Sequence, residues 1–230
     1  MKRGSRTTAV VFDLDGTLVD SLPLVLRAFS HALAPFAPQP TMQIFAQLGG
    51  PPEKIFPRLL GGEQNLPAAM QRLAAFNRDN YHLIQPFTGV AVVLEKLRQR
   101  NVTLALWTGR DRESAEELLE QHRLAEFFSV MVCGDDLGSH KPDPEGLGEI
   151  LRRLNVPAKN ALLVGDADVD VLGGAACGVD TVLINHAREV EDKVLRKCWR
   201  TVASPFEAYE LVLGCIAHDG VTGPAFADDI

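Results

Sequence analysis

Short apolar runs recur along the chain at Ala9–Leu14, Thr103–Thr108, Val130–Cys133, Ala161–Asp166 and Asp180–Asn185. Each is rich in Val, Leu or Ala throughout rather than alternating with polar residues. That is the pattern of a strand buried on both faces of a parallel sheet. Amphipathic stretches lie between the runs. Val90, Val93, Leu94 and Leu97 fall at i, i+3, i+4 and i+7, and helical patterns cover Asp111–His122, Pro144–Leu154 and Asp168–Cys177. Parallel neighbours need a crossover, and a helix between every two strands supplies one, right-handed. Strand and helix in alternation therefore predict an open α/β sheet covered on both faces.

One segment breaks the alternation. Residues 21 to about 84 hold no convincing strand, but helical stretches at Leu22–Leu33 and Leu66–Leu83 separated by loops at Ala34–Pro40, Gly49–Pro52 and Gly61–Gly62. This is too long for a simple crossover. The expected architecture is a three-layer, Rossmann-like parallel sheet core with an inserted all-helical cap domain. Residues 1–20 and 86–230 would form the core, and 21–85 the cap. Two helices are expected near the C-terminal end, one around Val190–Trp199 and one opened by Ser204 as cap and Pro205 at the first helical position. The tail Ala217–Ile230 has little periodicity and is expected to fray.

Composition limits the partners. The 230 residues can bury a sizeable core, and 23 basic against 30 acidic residues leave a net charge of −7. An acidic chain without a basic run is a poor ligand for nucleic acid or an anionic membrane. No apolar stretch is long enough to span a bilayer, and the run Ala9–Phe12 is too short for a signal-peptide core. The four cysteines are scattered without metal-ligand spacing, as in a reduced cytoplasmic protein. Oligomeric state is left at monomer or homodimer.

The chemistry-bearing residues stand at the ends of the runs, where open α/β sheets bind ligands. The first run leads into Asp13-Leu14-Asp15-Gly16-Thr17, the second ends in Thr108-Gly109-Arg110, a loop after the third carries Lys141-Pro142, and the fourth leads into Gly165-Asp166-Ala167-Asp168-Val169-Asp170. Asp13 and Asp15 are two apart, so an extended backbone points them the same way. Together with Asp166 and Asp170 they would repel unless a cation joined them. Oxygen donors without Cys or His select a hard ion, Mg²⁺. A carboxylate can also attack phosphorus, and a second carboxyl, kept protonated by acidic neighbours, can serve the leaving group. Thr108 and Gly109 suit phosphoryl oxygens, and Lys141 offers compact positive charge.

These four elements, in this order, resemble the haloacid dehalogenase-like superfamily of phosphohydrolases: DLDGTLVDS at Asp13–Ser21, Thr108, Lys141 within HKPDP, and GDADVD at Gly165–Asp170. The resemblance covers roughly residues 9 to 186 and, by its arrangement, is to members with a helical cap after the first motif. It implies Asp13 as nucleophile, Asp15 as general acid/base, and Lys141 and Thr108 on the phosphoryl group; Gly109 and Arg110, next to Thr108, are read as substrate- or phosphate-binding from their own chemistry. It also implies Mg²⁺ held by Asp13, the Asp15 backbone carbonyl and Asp166, with Asp170 in support. Gly50-Pro51-Pro52, Phe56 and Lys141-Pro142-Asp143-Pro144 are similar to phosphoglycolate phosphatases, which makes phosphoglycolate a candidate among small phosphorylated metabolites. Thr108-Gly109-Arg110 departs from the Thr-Asn-Lys often found there.

Plainer readings stand beside these. Asp168 is read as a solvated helix-start residue, Lys54 as an ordinary exposed lysine, His140 as a loop residue, Trp107 as core and Trp199 as core or helix interface. Arg110 is left open between substrate contact and surface charge. Two rivals to a phosphatase remain: a phosphomutase similar to β-phosphoglucomutase, recognised by its need for a sugar-phosphate acceptor, and a non-catalytic binding module on the same fold.

Overall fold

The computed structural model describes residues 6–41, 44, 46–48 and 50–219, with side chains through 216. Its main sheet has six parallel strands in the order β5-β4-β1-β6-β7-β8. These are β1 (Ala9–Phe12), β4 (Thr103–Trp107), β5 (Val130–Val132), β6 (Ala161–Gly165), β7 (Asp180–Ile184) and β8 (Arg200–Val202). The registers set Phe12 beside Leu106 on one side and Val164 on the other. Residues that follow these three strands therefore emerge together at one edge.

Alternate residues of β1 serve opposite faces. Val10 and Phe12 join a cluster with α4 (Val90–Gln99), α5 (Arg112–Gln121) and α9 (Pro205–Asp219), through Leu94, Leu118 and Val212. Val11 packs on the other face with Leu147 and Ile150 of α6 (Glu145–Leu154). On that face α7 (Asp168–Cys177) lies so close that a Cβ at Gly174 would sit 2.2 Å from Thr181 Oγ1. The short α8 (Asp192–Leu195) buries Val194 against Val171 and Leu183.

Between β2 (Val19–Asp20) and β3 (Gln85–Pro86), which pair antiparallel, the chain forms α1 (Leu22–Leu33), α2 (Pro52–Leu60) and α3 (Leu66–Asn80). These helices bury a cluster of their own, with Phe29, Leu33, Ile55, Phe56 and Leu73 at its centre. Phe29 and Phe56 meet edge to face, with centroids 4.9 Å apart. Pro52 at the N-terminus starts α2, because its missing N–H is one the first turn leaves unpaired anyway, and Gly61 in the left-handed region ends it.

The structure corrects several boundaries. Each core strand ends one or two residues before its apolar run does, and the trailing residues, such as Asp13, Thr108 and Asp166, turn into the site. The α2 helix fills a stretch of the expected helical segment that the sequence did not single out, and begins at Pro52, inside the expected loop Gly49–Pro52. The Leu66–Leu83 stretch divides into α3 and a 3₁₀ turn at Tyr81–Leu83. Only Asp192–Leu195 of the Val190–Trp199 segment is helical, and Trp199 leads into β8, a three-residue edge strand too short and too polar to stand out. Trp199 is partly buried against the core. The last helix runs through residue 219, three residues into the expected tail, while 220–230 lie outside the described residues. Among the described residues the cysteines form no disulfide. Among the described residues, no helix is long and apolar enough to cross a membrane.

Candidate active site

The carboxyl ends of β1, β4 and β6 and the loop before α6 bring Asp13, Thr108, Asp166 and Lys141 to one place, and the first turn of α7 adds Asp170. Asp13 donates its N–H to the Val164 carbonyl at 2.9 Å, which holds it in line with the sheet for one residue beyond β1. The chain then turns back, with the Leu18 and Val19 N–H groups on the Leu14 carbonyl. Gly16 makes that turn at φ +76°, and a Cβ there would stand 2.5 Å from Asp166 Oδ2. Backbone angle and close approach both demand glycine. The Thr108 N–H is held by the Val132 carbonyl at 3.0 Å, and its hydroxyl accepts the Arg110 N–H at 3.2 Å. Asp170 is oriented by the Ala167 N–H, 3.0 Å from Oδ2.

Lys141 is the hub. Its Nζ donates to Asp13 Oδ1 and to Asp170 Oδ1, both at 2.6 Å, and lies 4.8 Å from the centroid of the Trp107 ring. Trp107 is thus core, as expected, and also the apolar wall behind the ammonium. Burial pulls Lys141 down, but Asp13 and Asp170 outweigh it and leave its pKa above the ordinary lysine value. Burial is likewise the first cause at Asp13. Lys141 opposes it and Asp170 and Asp15 add to it, and the result is a carboxyl pushed up to about 7. Asp166, buried near Asp13 and Asp170, is raised well above the usual range. Ligand oxygens of Asp13, Asp166 and Asp170 all lie within 4.8 Å of one another. Three buried carboxyl groups surround one ammonium that bonds two of them, so their ionised forms would repel without a further cation. The oxygen-only donors match a hard divalent cation.

Asp15 stands differently from the sequence expectation. Its hydrogen-bond partners are donors that the sequence did not signal. Arg110 grips it with a fork, Nε to Oδ2 at 2.8 Å and Nη2 to Oδ1 at 2.6 Å, and Ser21 donates its hydroxyl to Oδ1. Arg110 also donates to the Tyr81 hydroxyl at 3.1 Å, and that hydroxyl donates to the Ser114 carbonyl. Burial acts to lower Arg110, yet Asp15 and Tyr81 raise it further, and the guanidinium stays charged. Arg110 is therefore not a surface charge. Burial pushes the Tyr81 phenol up to about 12. Ser21 closes the first motif, but its bond to Asp15 has no sequence signal, and Tyr81 belongs to no motif at a strand end.

A second correction concerns Asp168. It is buried, 3% exposed, and pairs with Arg188 Nη2 at 2.6 Å. The same guanidinium nitrogen donates to the Asp166 carbonyl at 3.1 Å, so the pair braces the loop that carries Asp166. Arg188 follows β7 and had no sequence signal. Lys54 is exposed on α2, as expected. His140 is a loop residue whose two ring nitrogens are buried without a partner among the described residues. Its ring packs against Gly50, where a Cβ would come within 2.9 Å. Gly109 also lies against the Gly50 backbone, where a Cβ would come within 3.3 Å of the Gly50 nitrogen.

A cavity of about 270 Å³ opens onto this edge. Asp13, Asp15, Thr108, Gly109, Arg110, Lys141, Asp166 and Asp170 line its floor, and side chains of α1, α2 and α3 line its roof.

The haloacid dehalogenase-like hydrolase family model matches residues 10–184. The chain belongs to that family, and it is a phosphatase of it. The plasmid-borne phosphoglycolate phosphatase of Cupriavidus necator is 36% identical over 189 residues, covering 78% of this chain and 81% of that protein. The pyrophosphatase PpaX of Halalkalibacterium halodurans is 32% identical over 192 residues, covering 80% and 86%. In fold, the chain is similar to a hydrolase from Pseudomonas syringae, at a TM-score of 0.76 and 24% identity over 90% of this chain and 98% of the other.

Proposed function

We propose that this phosphatase hydrolyses a small phosphate monoester in two displacements at Asp13, with the segment 21–85 acting as a cap over the cleft. The observation that carries the reading is the buried Lys141 ammonium bridging Asp13 and Asp170 beside Thr108 and Gly109. A carboxylate so held presents one oxygen to the ammonium and keeps the other for an incoming phosphorus.

In the first displacement an Asp13 oxygen bonds to phosphorus and the bond from phosphorus to the leaving oxygen breaks. That oxygen takes a proton from Asp15 and departs as an alcohol. In the second, water gives a proton to Asp15 as its oxygen bonds to phosphorus, and the acyl-phosphate bond to Asp13 breaks. The sum is ester plus water to alcohol plus phosphate, with both side chains restored. To donate, Asp15 must first loosen from the Arg110 fork, so Arg110 sets where that carboxyl rests between turnovers. Lys141, Thr108 and the Gly109 N–H would offset charge on the phosphoryl oxygens. Asp13, the Asp15 backbone carbonyl and Asp166 would hold Mg²⁺, with Asp170 in support. Bound there, Mg²⁺ would supply positive charge that keeps Asp13 ionised and offsets the phosphoryl group. The cap would exclude water and contact the leaving group.

The relatives' names, phosphoglycolate phosphatase and pyrophosphatase, support a small phosphorylated substrate. Phosphate release from a panel of such esters, with and without Mg²⁺, tests the reading. Turnover that needs Mg²⁺ is expected. No release from any ester would overturn it, and release only in the presence of a sugar-phosphate acceptor would replace it with a phosphomutase.

A further inference from the structure

The phosphoryl end of the cavity is rich in charge, whereas the end that would receive the leaving group is not. Its roof is Val25 and Phe29 of α1, Ile55 of α2, Leu73 of α3, and Leu48 and Ile84 from the adjoining segments. The polar groups that the cap segment contributes to the wall are neutral, the Asn77 amide and the Tyr81 hydroxyl. Among the described residues, every Lys or Arg on the wall is already bound to a carboxylate. Lys141 is held by Asp13 and Asp170 at 2.6 Å, Arg110 by Asp15 at 2.6 and 2.8 Å, and Arg188 by Asp168 at 2.6 Å. His186 is also on the wall, and its Nε2 lies 2.7 Å from the Gly16 carbonyl. Met42, Gln43, Phe45 and Gly49, within 21–85 but outside the described residues, are uncharged residue types.

A second anionic group on the substrate, such as the carboxylate of phosphoglycolate or the distal phosphate of pyrophosphate, would enter this apolar space without an uncommitted cation among the described residues to meet it. Burying an unpaired charge is strongly unfavourable, whereas apolar surface is favoured there. Arg110 is released only while Asp15 leaves its fork to donate, and an anion held there would keep that carboxylate from returning.

From this we infer that the enzyme selects phosphate monoesters of uncharged, largely apolar alcohols, and discriminates against phosphoglycolate and pyrophosphate. The inference rests on the phosphatase reading above and goes beyond it to the leaving group. At about 270 Å³ the cavity falls just below the roughly 300–1,000 Å³ of pockets for drug-sized ligands, so the alcohol is small. Asn77 and Tyr81 leave room for one neutral hydroxyl or carbonyl on it.

The experiment compares kcat/KM, at fixed Mg²⁺, for phosphoglycolate, its isosteric neutral amide (carbamoylmethyl phosphate), pyrophosphate and the n-alkyl phosphates from methyl to pentyl. The amide should exceed phosphoglycolate by at least about tenfold. The alkyl series should rise about fourfold per methylene until the pocket is full, the rate equivalent of burying one such group. The Asn77→Lys variant, which places a cation on the wall, should raise phosphoglycolate turnover and lower that of butyl phosphate. A wild-type preference for phosphoglycolate or pyrophosphate over the amide overturns the inference and leaves the phosphatase reading intact. A flat alkyl series also overturns it. If no ester turns over, the phosphatase reading fails and the inference falls with it.

Discussion

Replacing Asp166 with Asn should stabilise the metal-free protein while abolishing its function. Lys141 bonds to Asp13 and Asp170, and among the described residues no ammonium or guanidinium bonds to the Asp166 carboxylate. Moving a carboxyl from 3.8 to about 7, as burial and its neighbours do to Asp13, means that its charged form is disfavoured by about 4 kcal/mol. Asp166 is shifted the same way by burial, Asp13 and Asp170. Both groups are raised, so the folded state binds more protons than the unfolded chain above 3.8. For Asp13 that contribution is fully present below 3.8 and is lost as pH rises through about 7; for Asp166 it is lost in the same direction. Asn fills the same space without charge. At pH 8 in EDTA, Asp166→Asn should gain roughly 1–2 kcal/mol, or about 2–8 °C in Tm for a chain of this size. At pH 5 the gain should shrink. Adding Mg²⁺ should reverse the order, because saturation at a hundred times Kd stabilises the wild type by about 2.7 kcal/mol and the variant much less. Differential scanning fluorimetry at the two pH values, with and without Mg²⁺, reads all of this. A variant less stable than wild type at pH 8 in EDTA, or a gain equal at both pH values, would refute the reasoning.

Three further outcomes follow from the same geometry. Gly16→Ala puts a Cβ on Asp166 Oδ2 at a positive φ, and should lower phosphate release by more than about tenfold and Tm by several degrees, consistent with strain of about 1–3 kcal/mol. Arg110→Lys removes the two-pronged grip on Asp15, and an ammonium cannot restore it. Its kcat should fall about tenfold or more while Tm changes by only a few degrees, and an unchanged pH–rate profile would argue against a link to Asp15. Phe56→Ala empties the centre of the helical cluster between β2 and β3, and should lower the unfolding free energy in urea by about 3–5 kcal/mol.

The sheet core was legible because its signal is local and dense: runs buried on both faces, each followed by an amphipathic helix. The convergence of Asp13, Thr108, Lys141, Asp166 and Asp170 followed from the rule that such sheets bind ligands beyond the strand ends. What escaped was pairing across long sequence separation. Arg110 reaches Asp15 and Arg188 reaches Asp168, and neither pair has a spacing that a linear reading can detect. Asp168 sits in the first turn of a helix, where acidic residues usually face water, and only the fold reveals that Arg188 lies across from it. The α2 helix was hidden by its two prolines, Pro52 at the start and Pro57 within. β8 was hidden because its only sheet neighbour among the described strands is β7 and it carries an arginine.

The central claim is that Asp13 carries the phosphoryl group between substrate and water. Its most direct test is acid quenching during turnover of a good ester, followed by mass spectrometry of the peptide that contains Asp13. One phosphoryl group on Asp13 is predicted in the wild type, and none in Asp13→Asn, which should also release no phosphate. Rapid hydrolysis with no phosphoryl group on the protein, or full turnover by Asp13→Asn, would contradict the account.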